Sequence, residues 1–97
     1  MSQVSVVANL TVKQGKEDEF LALSDDLIAH IQANEPGCLL YTLNRGDDPL
    51  AFVFMERYRD EEALKAHRAT EHFRTFGKAM GAHMDGPPAV MRMKELA

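Results

Sequence analysis

His67 and His72 stand five residues apart in the run His67-Arg68-Ala69-Thr70-Glu71-His72-Phe73, and they hold the clearest potential for acid–base chemistry in this chain. On a continuous helix that spacing separates the two rings by about 140°. Such a separation does not suit two ligands of one metal, and no His-Glu-x-x-His pattern is present, so no metal site is expected. His67 has two readings. It packs at a helix–sheet junction, or it lines a cavity as a general base or hydrogen-bonding group. His72 is either a cap or surface residue or a substrate contact. Asn9 sits between Ala8 and Leu10 as the polar member of a strand, either partly exposed or donating to a substrate oxygen. Tyr41, Phe52, Phe54 and Tyr58 form an aromatic set on two neighbouring strands, which is core or the wall of a pocket for a flat ligand. Glu56 shares a strand face with Phe52, Phe54 and Tyr58, and its first reading is a salt-bridge partner rather than a cavity carboxylate. Cys38 has no neighbouring base to activate it and is expected to be buried and inert.

The elements that must position these groups are visible in the residue pattern. From Val4 to Val12 the residues alternate, with Val4, Val6, Ala8, Leu10 and Val12 facing one way and Ser5, Val7, Asn9 and Thr11 the other; that period predicts a strand. Phe20, Leu23, Leu27 and Ile31 recur at helical spacing until Pro36 and Gly37 stop the helix. Cys38–Asn44 and Leu50–Arg59 read as strands joined by the turn cluster Arg45-Gly46-Asp47-Asp48-Pro49. Asp60 is a plausible N-cap with Ala63 at N3, and the step from His67 to Phe73 predicts a kink or a new short helix near Thr70. Gly86-Pro87-Pro88 ends that region, and Ala89–Met93 makes a fourth strand. The order βαββαβ is the ferredoxin-like α+β arrangement, an antiparallel sheet with the helices on one face. Apolar side chains occur on both faces of the strands. The helices cover only one, so a second copy of the sheet is expected to cover the other.

Three runs carry a resemblance that spans Val4 to Met93: Glu35-Pro36-Gly37-Cys38-Leu39-Leu40-Tyr41, Phe52-Val53-Phe54-Met55-Glu56-Arg57-Tyr58, and the histidine run above. Together they resemble the antibiotic biosynthesis monooxygenase (ABM) family of small cofactor-independent oxygenases and their relatives. The resemblance implies one domain over residues 1–97 with its core at 4–93, pairing as a dimeric α+β barrel, and no bound cofactor. It also implies His67 and Asn9 as catalytic residues, with Tyr41, Phe52, Phe54 and His72 around the substrate. Haem-degrading relatives use an asparagine, a tryptophan and a histidine ligand. Here Asn9 remains, His67 stands where the tryptophan belongs, Gly77 stands where the ligand belongs, and the chain has no tryptophan. Haem degradation therefore does not fit.

Composition narrows the remaining choices. A chain of 97 residues with 45% hydrophobic and 27% charged residues is expected to fold as one small domain that gains from self-association. Its net charge of −4 and scattered basic residues argue against nucleic acid as a partner. One cysteine, no signal-peptide pattern and no membrane-length apolar run point to the cytoplasm. The glycine-rich phosphate loop of nucleotide-binding folds is missing. The expected function is a cofactor-independent monooxygenase that oxidises a small phenolic or quinol-like compound with dioxygen. The alternatives are an isomerase or lyase acting on a small oxygenated metabolite, and a non-catalytic dimer that binds a small molecule.

Overall fold

The computed structural model describes residues 2–97. Strand β1 (Val4–Thr11) leads to helix α1 (Glu17–Asn34). Strands β2 (Cys38–Arg45) and β3 (Ala51–Tyr58) follow, then helices α2 (Glu61–Arg68) and α3 (Glu71–Gly81), and strand β4 (Ala89–Lys94). The four strands form one antiparallel sheet in the order β2-β3-β1-β4. This is the expected ferredoxin-like order, with the second helical region divided in two.

Period-two alternation sorts the strand residues cleanly. Val4, Val6, Ala8 and Leu10 of β1 are buried beneath the helices, opposite Tyr58, Glu56, Phe54 and Phe52 of β3. Ser5, Val7, Asn9 and Thr11 share the opposite face with Arg57, Met55, Val53 and Ala51. That second face carries no helix. It leaves Met55 and Met91 about half exposed, at 45% and 59%.

The helix-facing side contains two buried clusters. The larger gathers Ala8, Leu10, Val12, Phe52 and Phe54 under Phe20, Leu27 and Ile31 of α1 and Met80 of α3. The smaller joins Val4, Val6 and Tyr58 to Leu64 of α2. Between them the helical layer is interrupted at Ala69-Thr70. Thr70 caps α3: its hydroxyl donates to the carbonyl of His67 (2.7 Å) and accepts from the amide of Phe73 (3.2 Å). Asp60 caps α2 as expected, accepting from the amide of Ala63 at 2.9 Å. After α3 the chain is pinned to β1 through Lys13 N–H to the His83 carbonyl and Asp85 N–H to the Thr11 carbonyl, both 2.8 Å.

The end of α1 is held close to α2 by a glycine. A Cβ placed on Gly37 would lie 2.7 Å from the Cβ of Ala63, and neither group has a rotamer with which to yield. Gly37→Ala is therefore expected to push α2 away from the α1–β2 turn at a cost of about 1–3 kcal/mol. Thermal unfolding checks this, with a midpoint lowered by several degrees or more; an unchanged midpoint would mean that the contact is not tight.

Candidate active site

The gap between the two clusters is a cavity of about 440 Å³. Val6, Ala8 and Leu10 of β1 and Phe54 and Glu56 of β3 form its floor. Tyr41, His67, Arg68, Phe73 and Met80 stand around it, and Met84, Pro87, Pro88 and Val90 line the far end. Small residues make the room. Gly77 and Gly81, one turn apart on α3, both line the cavity, and a Cβ on either would meet nothing within 4 Å. The polar groups gather at the end nearest α2, whereas the end near Leu10 and Met84 is apolar.

His67 is 1% exposed and lies among aromatic rings: its centroid is 5.5 Å from that of Tyr41, 5.3 Å from Tyr58 and 5.0 Å from Phe73. Its Nδ1 is 2.8 Å from Oε1 of Glu35, the residue that closes the C-terminus of α1. A carboxylate only accepts, so Nδ1 carries the proton and Nε2 of the neutral ring keeps its lone pair. That Nε2 is buried and has no hydrogen-bond partner among the described residues. Burial is the main influence holding the imidazole below its ordinary pKa; the Glu35 carboxylate opposes it, and His72 and Arg68 reinforce it. The ring is thus poised as an unprotonated base.

The second oxygen of Glu35 meets His72, with Nε2 at 2.5 Å from Oε2. One carboxylate therefore bridges both histidines. This is possible because the helix break at Thr70 lets His67 and His72 converge on Glu35 instead of diverging as on a continuous helix. Beyond His72 the next ring is His30, 5.9 Å away on the exposed side of α1.

Glu56 is the other buried acid, 8% exposed. It accepts a 2.6 Å hydrogen bond from the Tyr58 hydroxyl, and no cation pairs with it among the described residues, so the salt-bridge expectation gives way to a cavity carboxylate. Burial pushes its pKa up to about 7, against the Tyr58 hydrogen bond and the Arg68 charge, which pull it down. The hydroxyls of Tyr41 and Tyr58 are also held neutral, by burial first and by Glu56 second. Burial likewise pushes Cys38, only half-buried, up to about 11, as expected of an inert thiol.

Of the residues singled out in the sequence, His67, Tyr41 and Phe54 meet at the cavity. Asn9 does not. Its parity in β1 puts it on the helix-free face, paired in register with Val53 and Ala89, with the sheet between it and His67. Phe52 is also elsewhere, packed against Phe20 at 5.3 Å with the Arg45 guanidinium 5.0 Å from its ring. His72 reaches the site only through Glu35. Glu35 was missed because Glu35-Pro36-Gly37 reads as a helix stop, although an acid just before such a stop can reach a neighbouring helix. Among the described residues no group of His, Cys, Asp and Glu is arranged to hold a metal ion, and no helix is long and apolar enough to cross a membrane.

Comparison with known proteins agrees with this geometry. Residues 3–79 match the family described as antibiotic biosynthesis monooxygenase. The chain is 33% identical over 69 residues to the Bacillus subtilis protein named "Putative monooxygenase YcnE", covering 71% of this chain and 73% of that protein. The structure of Rv0793 from Mycobacterium tuberculosis superposes with a TM-score of 0.90 at 30% identity, covering 99% of this chain and 97% of that one. A Caulobacter crescentus structure, described as a "putative antibiotic biosynthesis monooxygenase", superposes with a TM-score of 0.95 at 37% identity, covering 99% of this chain and 92% of that one. The chain belongs to the antibiotic biosynthesis monooxygenase family.

The Glu56 carboxyl makes a testable link between the site and stability. Its folded-state pKa of about 7 exceeds the ordinary 4.5. The unfolded chain thus binds fewer protons between these values, and stability falls as pH rises from about 4.5 to about 7. Glu56→Gln should remove that part of the slope. Chemical denaturation at pH 5 and pH 8 should show the variant gaining up to about 3 kcal/mol on wild type at the higher pH; parallel pH profiles would mean that Glu56 ionises normally.

Proposed function

We propose that the cavity binds a small phenolic or quinol-like compound and that the protein oxidises it with dioxygen, without a metal or flavin. The observation that carries this reading is the buried, unpartnered Nε2 of His67, a residue that lines the cavity, with Nδ1 already engaged by Glu35. A lone pair so placed accepts an acidic O–H or C–H proton. The polar end of the cavity, with Tyr41, Glu56 and Arg68, suits a hydroxylated ring edge, and its apolar end suits the rest of a flat hydrocarbon skeleton.

Deprotonation at His67 makes the substrate electron-rich enough to pass one electron to dioxygen. Recombination of the resulting radical pair forms a C–O–O⁻ group, and the His67 imidazolium returns the proton to its distal oxygen. Loss of the remaining C–H proton with cleavage of the O–O bond leaves a carbonyl and releases water. In sum the phenol O–H, one ring C–H and O₂ become two carbonyls and H₂O (for the keto tautomer or an anthrone, a CH₂ group and O₂ become C=O and H₂O), so the four electrons come from the substrate and no external reductant is consumed. Asn9, on the far side of the sheet, has no part in this scheme; in it Arg68 and Tyr41, which line the cavity, meet the peroxide charge.

The working form in this proposal is a dimer joined through the helix-free faces. Val7, Val53, Met55 and Met91 share that face, and burying the large side chains among them gains about 1.5–3 kcal/mol each. A two-fold sheet-to-sheet pairing buries them symmetrically.

Oxygen uptake with a panel of hydroxylated naphthalenes and anthrones tests the reaction. Wild type should consume one O₂ per product, and His67→Gln should be slower by about 10²–10⁴-fold. Turnover that persists without oxygen would instead establish an isomerase or lyase. Gly77→Leu provides a control for the site: the side chain enters open cavity space while helix propensity improves by up to about 1 kcal/mol. Thermal stability should hold or rise while turnover is lost; full activity in this variant would place the chemistry outside the cavity. Sedimentation at micromolar concentration should give a species near twice 10.9 kDa, and a monomer would contradict the dimer.

A further inference from the structure

We propose that Glu35 and His72 are positioning residues for His67, the carboxylate fixing which imidazole nitrogen is free and His72 coupling that nitrogen to solvent through the same carboxylate. The inference rests on the reading of His67 as the base. Its ground is an unbroken chain of contacts: His67 Nδ1 to Glu35 Oε1 at 2.8 Å, and Glu35 Oε2 to His72 Nε2 at 2.5 Å. The side chains become more accessible along it, from 2% for His67 through 8% for Glu35 to 12% for His72. The two histidines come from different helices and Glu35 from the end of a third, so nothing local to one helix forces the three together. At the buried end lies the orphan Nε2 of His67, a residue that lines the cavity; at the outer end the His72 ring approaches the exposed His30, whose Nδ1 is occupied by the Asp26 carbonyl at 2.8 Å.

Electrostatics gives the chain a direction. A negative Glu35 favours a proton on His67, and a positive His72 on the far side of the same carboxylate offsets that pull. Arg68 on α2 acts in the same sense as His72. The other titratable groups around the ring are Tyr41 and Cys38 on β2 and Glu56 and Tyr58 on β3. Both tyrosines and the thiol are held neutral by burial, which leaves Glu56 as the further acid in the cavity. The His72 ring, held on the far oxygen of the same carboxylate, therefore influences how readily His67 takes and returns a proton.

Nitrogen-15 correlation spectra of the histidine rings, recorded on the intact protein without substrate, test this separately from turnover. At pH 7.5 wild-type His67 should be protonated on Nδ1 and bare on Nε2. On lowering the pH, His67 should take up its second proton at higher pH in His72→Gln than in wild type, and at lower pH in Glu35→Gln. Shifts of opposite sign from two substitutions on one contact chain are what charge coupling requires and what loosened packing would not give. His72 is the more accessible position, so His72→Gln carries the test even where Glu35→Gln does not fold. A wild-type His67 protonated on Nε2, or a His67 titration that His72→Gln leaves unmoved or out of reach, would overturn the proposal. The oxygen-uptake panel reports independently on the reaction: inactive wild type with the predicted ring spectra would reject the oxygenase and keep the coupled histidines.

Discussion

One carboxylate at the end of the first helix, hydrogen-bonded to two imidazoles from two other helices, is the contact on which the rest of the site depends. Glu35 is 8% exposed at its side chain, and an acid so enclosed needs donors at both oxygens. His67 and His72 supply them. That requirement explains features that otherwise look unrelated: the break between α2 and α3 at Thr70, the tight approach of Gly37 to Ala63, and the Thr70 hydroxyl that ties the carbonyl of His67 to the next helix. Removing Glu35 would leave two imidazoles without their shared acceptor. It would also free the His67 ring to present either nitrogen to the cavity.

The cavity follows from the same break. A single long helix with one apolar stripe would have filled the space over Ala8 and Phe54. Two short helices meeting at Thr70 instead leave the region between the two buried clusters covered by rings and glycines. The result is a largely apolar chamber with Tyr41, Glu56 and His67 at one end, each pushed toward its uncharged form by burial. A phosphorylated ligand would require cations in contact, and Arg68 is the one Lys or Arg that lines the chamber among the described residues, so the lining favours the neutral, weakly acidic ligand proposed above.

Much of the fold was legible in the residue pattern because strand alternation and helix punctuation are local signals. The inward set of Val4, Val6, Ala8 and Leu10, the cap at Asp60, the helix break near Thr70, and the stop at Pro36-Gly37 all depend on nearby residues in the chain. The site was legible only where it coincided with such signals. Parity placed Glu56 beside Phe54 and Tyr58, but whether a cation paired with it depended on tertiary neighbours that alternation does not specify. The same parity put Asn9 on the outer face, and only analogy with relatives drew it toward the site. Phe52 obeys its parity yet lies one pair too far along β3, under Phe20 instead of beside the cavity. Glu35 is 32 residues from His67, and a contact across that separation leaves no periodic trace.

The proposed chemistry turns on what occupies the free nitrogen of His67. The most direct measurement is a high-resolution crystal structure of the protein soaked with a dihydroxynaphthalene under anaerobic conditions, where it binds without reacting. The ligand ring should lie in the chamber over Ala8 and Phe54, with a hydroxyl oxygen about 2.6–3.0 Å from His67 Nε2 and Glu35 still bridging both histidines. A ligand bound elsewhere, or lodged in the chamber with His67 Nε2 turned away from its hydroxyl, would contradict it.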